Sequence, residues 1–443
     1  MSLQGLEPPQ GRSVGETAGA SAGRKLNVLL SAYSCEPFRG TEAGHGWNWA
    51  YELARLGHNV FVITRPVGRP AIEAFFNAFP CPNLRMIYVD SPHLSLRFGA
   101  IRPLLECLPW QWSALAAARK LCANHHIDVV HHVTWGSLHV GSKLWRLGKP
   151  FVFGPVGGGQ IARWGFRRYL RGGWALEMTR SLLVRYFTGI LFNARSTVAH
   201  SSLVLVANCE TYAWARRLGA RHAEYMLDIG LPSSMLAEAA RPSKRAGALK
   251  VLWVGRLVPR KALLLALEAI ARVDRRLDIR CTIVGDGPQG GYLRDWVRQL
   301  NLGHRVEWLG QVDWKVVMRL YAGLDVFLFT SLRDTAGTQL IEAMANGLPV
   351  VTLDHQGARI AVPAEAGVKI SVTTARRTVR KLARALERLA EEPATLARMG
   401  NAARLAAAAH TWDRKAASMS ELYLSVVATF NERHQRATLP ARV

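Results

Sequence analysis

Long apolar runs are missing from this chain. No uninterrupted stretch approaches the ~18 residues that an ordinary membrane-spanning helix needs, so no such helix is expected. Cysteine is sparse and scattered: Cys35, Cys81, Cys107, Cys122, Cys209 and Cys281 form no C-x-x-C pair. That argues against a zinc module or a disulfide framework and fits a reducing, cytoplasmic setting. Acidic residues are few, 32 against 57 basic ones, and none of them form a pair suited to clamp a metal, so no metal site is expected. The first 24 residues are rich in Gly, Ser, Pro and Glu. They lack the apolar h-region of a secretory signal and read as a disordered leader.

What is present suits a folded, two-domain protein. The chain has 443 residues, of which 49% are apolar. One core rarely grows to that length, so two are expected. The net charge of +25 attracts polyanions, unless it only reflects a composition that favours Arg. The basic residues are spread out, with one concentration. Arg163, Arg167, Arg168 and Arg171 are interleaved with Trp164, Phe166, Tyr169 and Trp174. This mix suits an anionic membrane surface at headgroup level or a phosphorylated acceptor, and equally a solvated helix with aromatic packing. No nucleic-acid recognition module is visible, so nucleic acid is not an expected partner.

Along the chain, short apolar runs alternate with helical stretches, which predicts an α/β fold with parallel sheets. In the first half, strands are expected at Lys25–Ser31, Asn59–Thr64, Leu84–Val89, Asp128–Val133, Pro150–Phe153 and Leu203–Ala207. Between them fall a helix at Trp47–Leu56, a helical stretch Leu94–Asn124 broken by Pro103 and Pro109, a turn Gly154–Gly159 and a helical region Ile161–Asn193. Polarity rises at residues 241–250, the expected linker. The rhythm then restarts with strands at Lys250–Val254, Ile279–Val284, Arg305–Leu309, Asp325–Phe329 and Val350–Leu353. Helices are expected from Pro288, at Thr338–Asn346, at Arg376–His410 and from Trp412 to Asn431. The domains are therefore residues 25–240 and 251–410, followed by a helix at 411–432 and a tail at 433–443. Two such halves leave a cleft, with ligands at the carboxyl ends of strands.

Several loops carry candidate chemistry. Gly255-Arg-Leu-Val-Pro-Arg-Lys261 follows a strand and opens a helix. Arg256 and Lys261 can converge there on one anion beside free helix N–H groups, and a diphosphate fits; the alternative is two solvated basic residues. Asp334 and Glu342 lie eight residues apart around Gly337 and Thr338. Glu342 sits among Leu340, Ile341 and Met344, where ribose hydroxyls would satisfy a carboxylate; the alternative is an exposed polar stripe. The loop Gly40-Thr41-Glu42-Ala43-Gly44-His45-Gly46 could cradle phosphate but has no Walker A lysine pattern. His131 and His132 end a strand; side chains alternate, so only one can face the cleft, and the sequence leaves open which. Gly285-Asp-Gly-Pro-Gln-Gly290 has the spacing of a dinucleotide fingerprint but follows the second strand of its half, which favours a plain turn.

In order and spacing, VGRLVPRK (254–261), IVGDGP (283–288), WLGQV (308–312) and SLRDTAGTQLIEAMANGLPVV (331–351) resemble the retaining glycosyltransferases of family 4, the group 1 glycosyl transferases. The likeness runs from about Asn27 to Val426. It implies a GT-B fold: two Rossmann-like domains, an acceptor side at 25–240 and a nucleotide-sugar side at 251–410, with the last helix crossing back to the first domain. It also implies roles. Gly255, Arg256 and Lys261 would hold the donor diphosphate. Asp334 would contact the donor sugar, where the family usually has Glu, and Ala336 stands where an aromatic residue is frequent. Gly337 and Thr338 would offer backbone amides, and Glu342 would hold the ribose. Gly40, Thr41, Glu42 and Gly44 would lie near the acceptor and phosphates, and the strand-end histidine falls on His131 or His132.

The function that follows is transfer of a sugar, with its anomeric configuration retained, from a nucleotide-diphosphate sugar to a glycan, lipid-linked or other hydroxyl acceptor. Cell-envelope or exopolysaccharide biosynthesis is the expected setting, in the cytoplasm or peripherally on the inner membrane face. The nucleotide sugar is a co-substrate, and no cofactor is expected. The alternative is a catalytically weak sugar-nucleotide-binding or scaffold protein of the same fold, suggested by Asp334 and Ala336.

Overall fold

Apolar strands flanked by helical crossovers build two all-parallel sheets. In the computed structural model, residues 24–40, 42–91, 102–161, 163–187, 192–236 and 247–438 are described. The leader up to residue 23, linker residues 241–246, the last five residues and Thr41 lie outside them. The first sheet holds β1 (Asn27–Ala32), β2 (Asn59–Thr64), β3 (Leu84–Tyr88), β4 (Val129–Thr134), β5 (Phe151–Val156), β6 (Leu203–Val206) and β7 (Ala223–Tyr225). The second holds β8 (Leu249–Val254), β9 (Ile279–Val284), β10 (Val306–Gly310), β11 (Val326–Phe329), β12 (Val350–Leu353) and β13 (Gly367–Ile370). Their orders are β3-β2-β1-β4-β5-β6-β7 and β10-β9-β8-β11-β12-β13. Strand order thus reverses once in each sheet, between β1 and β4 and between β8 and β11. Loops leaving the carboxyl ends of those neighbours diverge to opposite faces, which opens a crevice at each reversal.

Each sheet is covered on both faces, as parallel strands require. Val28, Leu30 and Val62 pack with helix residues Trp49 and Leu53 on one face of the first sheet, and Leu29, Val130 and Phe151 pack with Trp110 and Leu115 on the other. The terminal helix Trp412–Thr438 lays Trp412, Met419 and Tyr423 into the core of the first sheet. Its start is pinned by Leu231, whose N–H donates to the His410 carbonyl at 3.0 Å and whose carbonyl accepts from the Trp412 N–H at 2.9 Å.

Some boundaries differ from expectation for local reasons. The helix after β1 begins at Glu42, more than a turn before Trp47. Pro109 does not break its helix, which runs unbroken through Arg102–Asn124 with Trp110 and Gln111 buried. Strand β5 continues through Gly154 and Pro155, where a turn is expected. Pro393 divides the late helical stretch into Ala375–Glu391 and Pro393–Ala408, and the helix after β9 starts at Gly290 rather than Pro288.

The basic and aromatic stretch proves to be a bridge. Trp164–Leu170 is a 3-10 segment whose Phe166, Tyr169 and Leu170 are buried in the core of the second sheet. The Tyr169 hydroxyl donates to Glu268 at 2.6 Å, and Arg168 pairs with the same carboxylate at 2.6 Å. These aromatic rings therefore pack internally, while Trp164 stays exposed.

His131 and His132, one of which is expected at the cleft, are both fully buried. Strand β4 has neighbours on both sides and helices over both faces, so alternation sends each ring into a core. The His131 Nε2–H donates to the Gly154 carbonyl at 2.6 Å, leaving Nδ1 to accept from the Tyr423 hydroxyl at 2.6 Å. His132 Nδ1 lies 3.0 Å from the Ser31 hydroxyl. Burial pulls His131 down to about 3 and His132 to about 4, so both rings are neutral near pH 7. His131 is thus a latch for the terminal helix. Replacing Tyr423 with Phe leaves Nδ1 buried without a donor, and unfolding by denaturant should show a loss of about 1–3 kcal/mol.

Candidate functional site

The two reversals carry the polar chemistry. At the first, the loop after β1 meets the loop after β4. The Glu42 carboxylate, in the first turn of its helix, accepts from the Gly136 N–H at 2.7 Å. The loop is closed tightly around it. A Cβ on Gly44 would lie 1.7 Å from the Arg39 carbonyl oxygen, and one on Gly46 would lie 2.2 Å from that of Ser34. Gly40, by contrast, has open space around it. Burial pushes the Glu42 carboxyl up to about 7; the Gly136 N–H opposes this and the Asp228 charge adds to it.

At the second reversal, the loop after β8 meets the loop after β11. The buried Lys261 ammonium is paired with Asp334. Arg260 Nη1 lies 3.5 Å from the same carboxylate, and the Ser331 hydroxyl donates to it at 3.3 Å. Burial alone would raise the Asp334 carboxyl; Lys261 and Arg260 outweigh it and hold the group below its ordinary value, ionised. The Asp334 N–H donates to the Gln356 side-chain carbonyl at 2.7 Å. Next in sequence, Arg333 makes a fork on Glu177, with Nε–H donating at 2.8 Å and Nη2–H at 2.6 Å. Glu177 belongs to the helix Trp174–Phe187, so this pair ties the Asp334 loop to an element from the first half of the chain.

The neighbouring candidates are arranged differently. Arg256 is exposed, with no side-chain partner among the described residues. Gly255 is buried, and its loop rests on the GDGP turn. Leu257 N–H donates to the Asp286 carbonyl at 2.9 Å. Gly285 has φ +126°, and a Cβ there would sit 2.0 Å from the Gly255 carbonyl oxygen. The dinucleotide-like spacing therefore serves a turn that props the Arg256 loop. Gly337, at φ +91°, precedes the helix Thr338–Ala345, whose first N–H groups lack intrahelical partners. Glu342, one turn in, accepts from the Tyr321 hydroxyl at 3.4 Å rather than pairing with Lys261. Its burial raises its carboxyl above the ordinary value.

Between the two reversals lies a cavity of about 200 Å³. Glu42, His45, Trp135 and Gly136 line it from the first domain, Thr335 from the second, and Asp228 from the segment between β7 and the linker. Thr335 is anchored across the cleft by Asn208, whose Nδ2–H donates to its carbonyl at 3.3 Å. Asp228 and Trp135 are not marked by any motif, while His45 and Thr335 stand inside the Gly40–Gly46 loop and the 331–351 motif without being singled out there. Asp228 stands in an irregular stretch with no periodicity, and only the folded chain brings it beside Glu42. Among the described residues no group of three or more His, Cys, Asp or Glu side chains is arranged to hold a metal ion. No described helix is long and apolar enough to cross a membrane.

Comparison with known proteins places this arrangement. The family described as glycosyl transferases group 1 matches residues 237–406, and glycosyltransferase family 4 matches residues 45–204. Together the two take in most of both sheets. The chain belongs to the GT-B glycosyltransferases. Over 204 residues it is 30% identical to the glycogen synthase of Mycobacterium tuberculosis, which covers 46% of this chain and 48% of that one. The chain thus spans about half the length of that curated relative. Among solved structures, sucrose-phosphate synthase from Thermosynechococcus elongatus superposes with a TM-score of 0.59 at 21% identity, over 91% of this chain and 100% of the other. Anabaena HepE in complex with UDP superposes with a TM-score of 0.58 at 17% identity, over 90% and 100%. At these identities the superpositions speak for the GT-B fold alone.

The electrostatics of this GT-B cleft can be checked directly. Carboxyl-carbon NMR should place the Glu42 titration near pH 7, with the group protonated below that and ionised above. Asp228→Asn should move the midpoint down, because it removes the carboxylate charge that helps to raise it.

Proposed function

We propose that the protein transfers a glycosyl group from a nucleotide-diphosphate sugar to a hydroxyl of a glycan or lipid-linked acceptor, with retention of configuration and without metal or cofactor. The observation that carries this reading is the buried Lys261–Asp334 pair at the β8/β11 reversal, next to a cavity shared with the first domain. When the glycosyl–phosphate bond breaks, positive charge develops on the sugar and negative charge on the departing diphosphate. An ammonium and an ionised carboxylate at one point match both. Lys261, with Arg256 exposed on the same loop, suits the diphosphate, aided by the N–H groups that open the helix at Thr338. Asp334 suits the sugar. Glu342 suits ribose hydroxyls, which would join the Tyr321 hydroxyl as its donors. The acceptor oxygen forms the new bond to the anomeric carbon from the face the phosphate leaves, and its proton passes to the departing phosphate oxygen. HepE, a neighbour in fold, is described in complex with UDP, which supports a nucleotide sugar as donor.

Glu42 suits the acceptor side of the site rather than a phosphate, since a carboxylate in that loop repels anions. A setting in cell-envelope or exopolysaccharide synthesis at the inner membrane face is in keeping with exposed Trp164, Leu176, Leu182 and Leu183 near exposed Arg163 and Arg167.

Thermal-shift screening against UDP, GDP, ADP and their sugars, followed by NMR of the product anomer, tests the reading. Lys261→Ala should lower turnover by about 10²–10³, equivalent to ~2.7–4 kcal/mol of barrier. Unchanged turnover in that variant would remove Lys261 from its role. Nucleotide binding without transfer to any acceptor would instead support a binding or scaffold protein.

A further inference from the structure

Two carboxylates line the cavity and, among the described residues, no lysine or arginine does. Glu42 and Asp228 both line it. Asp228 Oδ1 is closed off from solvent and has no hydrogen-bond partner among the described residues. A buried carboxylate oxygen without a donor is costly, and a ligand hydroxyl would satisfy it. Lys415, whose charge acts on Asp228, does not line the cavity. Its ammonium donates to the Leu227 carbonyl and lies between the rings of Trp49 and Trp412. His45, which does line it, is pulled down to about 4 by burial and the Lys415 charge, and so is neutral. Trp135 adds a flat apolar wall, backed by Tyr33 stacked at 6.1 Å. An aromatic ring beside carboxyl oxygens is what a sugar ring needs: apolar C–H groups on one side and hydroxyl groups at the edge.

We propose that this cavity is the subsite for the accepting sugar, that Asp228 and Glu42 hold its hydroxyl groups, and that it admits uncharged polyol rings while rejecting rings that carry a carboxylate or phosphate. The inference rests on the glycosyltransferase reading above and adds the charge class of the acceptor. Both carboxyls are raised by burial, Glu42 to about 7 and Asp228 to about 6, so an incoming anion would meet a site that already resists negative charge. Thr335, adjacent to Asp334, brings the cavity wall up to the donor side.

The probes are octyl hexosides and the matching octyl hexuronides, which differ only in charge at one carbon. Their binding is read by calorimetry on the full chain loaded with whichever nucleoside diphosphate binds best. The hexosides should bind and the hexuronides should not. Asp228→Asn and Glu42→Gln keep the shape of each side chain. Each should weaken hexoside binding roughly tenfold or more, because the amide keeps only one of the two carboxyl oxygens that can accept from a sugar hydroxyl, while nucleotide affinity stays unchanged. Asp228→Asn should also narrow the discrimination against hexuronides. Hexuronides that bind as well as hexosides overturn the inference, as does a loaded protein that binds neither, or variants that alter nucleotide rather than sugar affinity. A wild-type chain that binds no nucleotide overturns the underlying function instead.

Discussion

The buried ammonium of Lys261 is satisfied by the Asp334 carboxylate, and that pair organises the second domain. Strands β8 and β11 are sheet neighbours on either side of the order reversal, so the loops that follow them meet. Lys261 comes from one and Asp334 from the other. Burying either charge alone would cost several kcal/mol; together, with Arg260 and Ser331 on the same carboxylate, they are satisfied. The consequence is a charge pair fixed by the fold at the point where a parallel sheet opens to a ligand. The first sheet repeats the geometry with different chemistry: there the reversal between β1 and β4 brings Glu42 to the Gly136 N–H. One reversal offers positive charge, the other negative, and the cavity lies between them.

The two domains are joined by more than the linker. Leu227, Ile229 and Leu231 pack into the core of the second sheet, while Trp412 and Tyr423 of the terminal helix pack into the first. The bridge at Trp164–Leu170 and the Glu177–Arg333 fork do the reverse, fastening first-half residues to the second domain. Arg333 directly precedes Asp334, so the fork also steadies the acid that faces Lys261. Asn208 and Thr335 add a contact at the cavity wall itself.

Much of this was legible in the amino-acid order. Strand runs such as NVFVIT are apolar, β-branched and bounded by polar or glycine positions, so local chemistry decides them. Lys261 and Asp334 were visible because each stands just past a strand in a motif with fixed spacing. Other features depend on packing that sequence order does not carry. The histidine pair follows the alternation rule, yet helices over both sheet faces turn each ring inward. Phe166 and Tyr169 look like surface aromatics among arginines until the second core receives them. Asp228 belongs to no periodic segment and takes on meaning only beside Glu42.

The most direct measurement of the central pair is calorimetric binding of a nucleoside diphosphate against the matching monophosphate, in wild type and in Lys261→Met. If Lys261 serves the second phosphate, wild type prefers the diphosphate, and in the variant that preference collapses while monophosphate affinity holds. A preference that survives intact in Lys261→Met would contradict the account.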